Sequence, residues 1–155
     1  MAGEPVLTKE FRELQAKARE IACELGCSKT GEIHLLLALV SDEREYTSRI
    51  LRAALGERVF QLFIDRLEFQ ARGREEPVKR SYRDPTWHSA VRSAIFEDEH
   101  IYRLGKVYPE HLFLAYLRSQ DQFFFRGFFD FFAGSDFIHY LRGQVEGYLR
   151  IINSA

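Results

Sequence analysis

Apolar residues along this chain recur at intervals of three and four, and no stretch of useful length alternates as a half-buried strand would. The first run places Phe11, Leu14, Ala18, Ile21, Ala22 and Leu25 on one helical face, with Thr8 positioned to cap its start and Gly26 to end it. A second helix is predicted from about Thr30 through IHLLLALV, residues 33–40. A third carries Ile50, Leu51 and Leu55 and stops at Gly56, and a fourth carries Val59, Phe60, Phe63, Ile64 and Leu67. Residues 71–85, ARGREEPVKRSYRDP, break the rhythm with a glycine, two prolines and many charges. They read as a linker or as a loop lying across the surface. After Pro85 the rhythm restarts, with Trp87, Val91, Ile95, Ile101 and Leu104 lining a long helix that Gly105 follows.

The second half answers the first. PEHLFLAYL (109–117) matches GEIHLLLAL (31–39), setting His111 against His34, Leu112 against Leu35 and Ala115 against Ala38. FFDFFAG (128–134) matches ILRAALG (50–56), and Phe137, Ile138, Leu141, Val145 and Leu149 echo the fourth helix. The period, about 78 residues, is too long for a small solenoid repeat of roughly 34–47. The predicted fold is therefore all-α: two four-helix repeats related by pseudo-twofold symmetry in a single compact domain. Repeat one covers about residues 7–70, the linker about 71–85 and repeat two about 86–150. Either unit alone would leave a large apolar face bare, so the two are expected to share one core.

Composition narrows the function classes. With 155 residues, 46% hydrophobic and 29% charged, the chain has globular composition. Its formal net charge of −1 gives no overall footprint for nucleic acid, and the positive excess at Arg72, Arg74, Lys79, Arg80 and Arg83 reads as a solvated stretch. No apolar run reaches the roughly 18–20 residues of a spanning helix, and MAGEPVLTKEF lacks the features of a signal peptide. A cytoplasmic protein is expected, with neither membrane nor nucleic acid as partner. Cys23 and Cys27 lack the second close pair that a thiolate metal site wants and read as free thiols. His34 and His111 read as structural residues at helix starts, each in its own repeat. With no GxxxxGK[ST] phosphate loop and no GxSxG elbow, no catalytic residue, cofactor or metal is predicted, and the chain is not expected to be an enzyme.

A helix ending in LG, a few polar residues and then a helix of (G/T)xEHLLLAL type, all repeated, resembles the N-terminal domain of Clp ATPases. LGCSKTGEIHLLLALV and LGKVYPEHLFLAYL carry the resemblance, with LRAALG and FFAG closing the third helix of each copy. It covers about residues 7–150. It implies a non-catalytic module that binds protein substrates, adaptors or a Clp ATPase and recruits clients to a AAA+ unfoldase or protease. The alternative is a free-standing regulator or adaptor of a Clp protease or chaperone. In one branch of the family the glutamate before the repeated histidine recognises phosphoarginine, where a carboxylate meets a guanidinium through paired charge-assisted bonds. Glu110 stands at that position. In the first copy Ile33 stands there, and Glu32 lies one residue, about 100° of helix, away. The other reading of Glu110 is an acid favoured at a helix N-terminus.

The remaining oddity is FFFRGFFDFF, residues 123–132. On a helix, Phe124, Phe125, Phe128, Phe129, Phe131 and Phe132 span an arc of about 160°, opposite Arg126, Gly127, Asp130 and Phe123. Phe128 and Phe129 correspond to Ile50 and Leu51 and are expected in the core. Phe132 and Ala133 against Ala54 and Leu55 read as a swap of large and small side chains that conserves core volume. Phe123, Phe124 and Phe131, against Glu45, Tyr46 and Ala53, are surplus. They form either an exposed apolar patch for a protein partner or packing between the repeats.

Overall fold

The computed structural model describes residues 5–73, 76–119 and 125–154. Among them are eight α-helices: α1 (Lys9–Glu24), α2 (Glu32–Ser41), α3 (Tyr46–Leu55), α4 (Glu57–Ala71), α5 (Pro85–Glu97), α6 (Pro109–Arg118), α7 (Phe125–Ala133) and α8 (Phe137–Ser154). The all-α expectation is met, with four two-residue strands added: β1 (Val6–Leu7), β2 (Lys29–Thr30), β3 (Tyr82–Arg83) and β4 (Lys106–Val107).

The predicted punctuation acts as the chemistry requires. The Thr8 hydroxyl accepts from the Phe11 amide at 3.1 Å, satisfying one of the orphan donors at the start of α1. Gly26 leaves α1 at φ 75°, a left-handed conformation that costs glycine nothing. Asp84, ahead of Pro85, accepts from the Trp87 amide at 3.0 Å and starts α5.

Helices α2 and α6 are buried nearly all round, residues His34–Val40 in α2 and Pro109–Leu114 in α6. Helices that are apolar on every side belong in the middle of a protein, and the others pack around these two. One continuous core runs from Phe11 and Phe60 through Leu36 and Phe113 to Leu149. The halves are also laced together reciprocally. The strand before α1 pairs with the strand after α5 (β1 with β4), and the strand after α1 pairs with the strand before α5 (β2 with β3), both in parallel.

One expectation is sharpened and a second corrected. The described residues of 71–85 lie mostly exposed across the surface, and hydrogen bonds tie them to it. The Gly73 and Val78 amides donate to the carbonyls of Leu25 and Cys23 at 2.9 Å, and buried Ser81 meets buried Thr30 at 2.6 Å between hydroxyls. Residues 82–83 then form β3. Two residues of pairing are too short to leave an alternating pattern in sequence. A Cβ on Gly73 would overlap the Gly26 carbonyl oxygen and stand 2.7 Å from its carbon. Gly73→Ala is expected to destabilise by about 1–3 kcal/mol through that overpacking, measurable as a lower midpoint in urea. The correction concerns the long helix expected from Trp87 to Leu104. The α-helix ends at Glu97 and the chain widens into a π-helical turn, Asp98–Tyr102, before Arg103 turns left-handed at φ 54°. The extra residue in that turn puts the predicted core residue Ile101 outward, 43% exposed.

Candidate functional site

His34 and His111 perform one job in two places. Each sits at the third position of its helix, and its Nδ1 accepts the amide of the capping residue, Gly31 at 3.0 Å and Tyr108 at 2.9 Å. The acceptor role of Nδ1 fixes the proton of the neutral ring on Nε2. That N–H points to the Ala71 carbonyl at 3.2 Å in one case and lies 3.2 Å from Asp98 Oδ1 in the other. Burial lowers the pKa of both imidazoles. Among the described residues no group of three or more His, Cys, Asp or Glu side chains could hold a metal ion.

Among the described residues a groove of about 820 Å³ lies where the halves meet. It runs over β1 and the first turns of α1, past the loop between α2 and α3, to the start of α6 and the far end of α8. Glu110 lies in its wall. The first turn of α6 carries it, after Pro109 has preset the helical backbone. Only 4% of the residue is exposed, and one carboxyl oxygen, Oε2, has no hydrogen-bond partner. Burial pushes its pKa up to about 7; its own amide and the Arg49 charge pull the other way. Glu45, which precedes α3 without capping it, lines the same groove. Burial is again the main cause of a pKa raised to about 7, and the nearby Glu110 charge adds to it. Tyr46 of α3 and Tyr148 of α8 stack with ring centroids 4.0 Å apart and planes within 6°, giving a flat aromatic wall that bridges the halves. Lys9, Arg12, Lys17, Arg44 and Lys106 supply positive charge to the lining. The result is a cleft whose wall carries a buried Glu110 and a half-buried Glu45 among cationic side chains.

The predicted site residues are not gathered here. Glu32 borders a second, smaller cavity of about 210 Å³ with Ser89, Ser93 and Tyr116. The two cavities are built alike: the groove uses the start of α6, the face of α1 and the end of α2, and the smaller cavity uses the start of α2, the face of α5 and the end of α6. Ile33, the sequence counterpart of Glu110, is partly buried against the core. Phe131 is elsewhere, on α7, 81% exposed. Phe123 and Phe124 lie outside the described residues.

Along α7 the phenylalanines divide. Phe125 and Phe129 are fully buried and Phe128 is partly buried against the core. Phe132 departs from the volume-conserving swap, for it is 41% exposed and Ala133 is exposed too. It points along the same arc as Phe129 but lies in the last turn of the helix, where its ring contacts are Phe128 and Phe131 of its own helix. A helical wheel gives direction; it does not say whether anything lies in that direction. Glu45, Tyr46 and Tyr148 had no motif to draw attention to them. The available signal was their register, because Glu45 and Tyr46 are the first-copy counterparts of Phe123 and Phe124.

No family model matches the chain, and no curated protein matches it. Among solved structures the fold is similar to a chain from structural investigations of a malarial protein secretion system. That likeness has a TM-score of 0.66 at 18% sequence identity and covers 93% of this chain and 96% of the other. Among the described residues no helix is long and apolar enough to cross a membrane.

Proposed function

We propose that the chain is a non-catalytic protein-binding module of Clp N-terminal type, recruiting protein substrates or adaptors to a AAA+ unfoldase or protease, and that they dock in the groove walled by Glu45 and Glu110. The observation that carries this reading is the Glu110 carboxyl, almost wholly removed from water yet leaving one oxygen unpartnered at the edge of an open cleft. Leaving a buried polar atom unsatisfied costs about 1–3 kcal/mol, a cost that a docked cation would offset with charge-assisted hydrogen bonds. The repeated LG and histidine-helix motifs support the family assignment independently of the groove.

The immobilised chain, challenged with lysate of its source cell, is expected to retain a Clp ATPase, a Clp protease subunit or their clients. Glu45→Arg, which places a fixed cation in the groove, should weaken that capture at least tenfold while the protein stays folded. Recovery of none of these proteins, or equal capture by Glu45→Arg, would defeat the reading.

A further inference from the structure

Among the described residues, Glu45 and Glu110 lack ion-pair partners although cationic side chains line the groove around them. Of the positive groups nearby, Arg44 and Arg49 are hydrogen-bonded to other groups, though the Arg49 charge still reaches both carboxyls, and Arg12, Lys17 and Lys106 are exposed side chains. Arg44, in the loop before α3, is committed to Asp42, with Nη2 3.0 Å from Oδ2 and Nε 3.2 Å from Oδ1. Arg49 of α3 spends Nη1 on the carbonyls of Arg44 and Glu43, at 2.9 and 3.4 Å. Helix α1 brings acids as well as bases to the lining: Glu10 and Glu13 beside Lys9, Arg12 and Lys17, with Lys9 paired to Glu13 at 3.8 Å. Strand β4 adds Lys106. Tyr148 lines the groove from α8 and Tyr108 stands at the cap of α6; burial raises the pKa of both phenols, so both are neutral near neutral pH. A buried carboxylate lacking a cation is costly, and the neutralising group the chain can always recruit is a proton.

We propose that Glu45 and Glu110 form a proton-operated latch on the seam between the halves: protonated, they let the start of α3 and the first turn of α6 close against each other, and ionised, they loosen that seam and expose an anionic wall in the groove. Any effect on docking rests on the groove being the binding site; the proton dependence of the seam does not.

Both carboxyls are held at about 7, against 4.5 for an unperturbed side chain. The folded protein thus holds protons that the unfolded chain has released. The stability they contribute is complete at the acid end of that window and is lost as pH rises through about 7. The buried histidines have the opposite sign, because their lowered pKa costs stability as pH falls below about 6.5. A wild-type profile therefore mixes the two. Replacing both acids by glutamine, which mimics the neutral carboxyl, separates them.

Melting temperatures of the wild type and of the Glu45→Gln, Glu110→Gln double variant would be compared from pH 5.5 to 8.5. The double variant is expected to gain on the wild type as pH rises, ending several degrees more stable relative to it at pH 8.5 than at pH 5.5. A gap that does not change with pH overturns the latch. The wild type alone offers a second test, carbon-detected NMR of glutamate carboxyls: two resonances should titrate near pH 7, and a set that all titrate near 4.5 refutes it. If both tests succeed and no partner docks, the latch stands and the docking reading fails.

Discussion

Phe129→Ala is expected to destabilise the protein by about 3–5 kcal/mol, whereas Phe131→Ser, two residues away, should stay within about 0.5 kcal/mol of wild type. Phe129 is fully buried and its ring meets Phe63 at 5.2 Å, Phe125 at 5.4 Å and Phe137 at 5.0 Å between centroids. It therefore joins α7 to both α4 and α8. Truncation would leave a cavity lined by rigid rings that cannot collapse into it, which is the costly case. Phe131 has 81% of its surface in water and touches Phe132 of its own helix. Urea titration of both variants checks the contrast. A loss above about 2 kcal/mol for Phe131→Ser would show that its ring packs against something. If stability is unchanged and capture of partners drops, the exposed end of α7 joins the groove as a binding surface.

Asp98→Ala is expected to cost about 2–5 kcal/mol, because each of the two amides it leaves unsatisfied costs about 1–3 kcal/mol. Asp98, 1% exposed at the start of the π-helical turn, accepts the Leu104 amide at 2.8 Å on Oδ1 and the Gly105 amide at 3.0 Å on Oδ2, and lies 3.2 Å from Nε2 of His111. One side chain thus ties the left-handed turn at Arg103–Gly105, the approach to β4 and the capping histidine of α6. Alanine would orphan two part-buried amides at once and take away the carboxylate beside the His111 ring. Asp98→Asn should rescue less than half of the loss, because its amide nitrogen must face a donor. Thermal unfolding of both variants beside wild type decides it. Full rescue by asparagine would mean that the acid's second acceptor oxygen is unimportant.

Much of this architecture is legible in the residues alone. Helix faces follow from a 3.6-residue period that burial must obey, and Thr8, Gly26 and Gly56 mark ends because orphan amides and left-handed turns have strict requirements. The histidine pair was readable as structural because each copy carries the same residue at the same helix position. The strands were not legible, since two residues of parallel pairing between distant segments leave no periodicity. Neither was the π-helical turn, where the Asp98 carboxylate folds back on amides six and seven residues later.

The candidate site divides in the same way. Sequence by itself determined an all-α chain, two similar runs of helices and a glutamate at the start of the sixth, because period, capping and composition are local properties. Tertiary structure decided that Glu110 is buried beside Glu45, that Tyr46 and Tyr148 stack across the halves, and that Phe132 is left uncovered where Phe129 is enclosed. Desolvation and contact between residues a hundred positions apart depend on which helix ends meet. That is set by the packing of the whole core and by no single stretch of the chain.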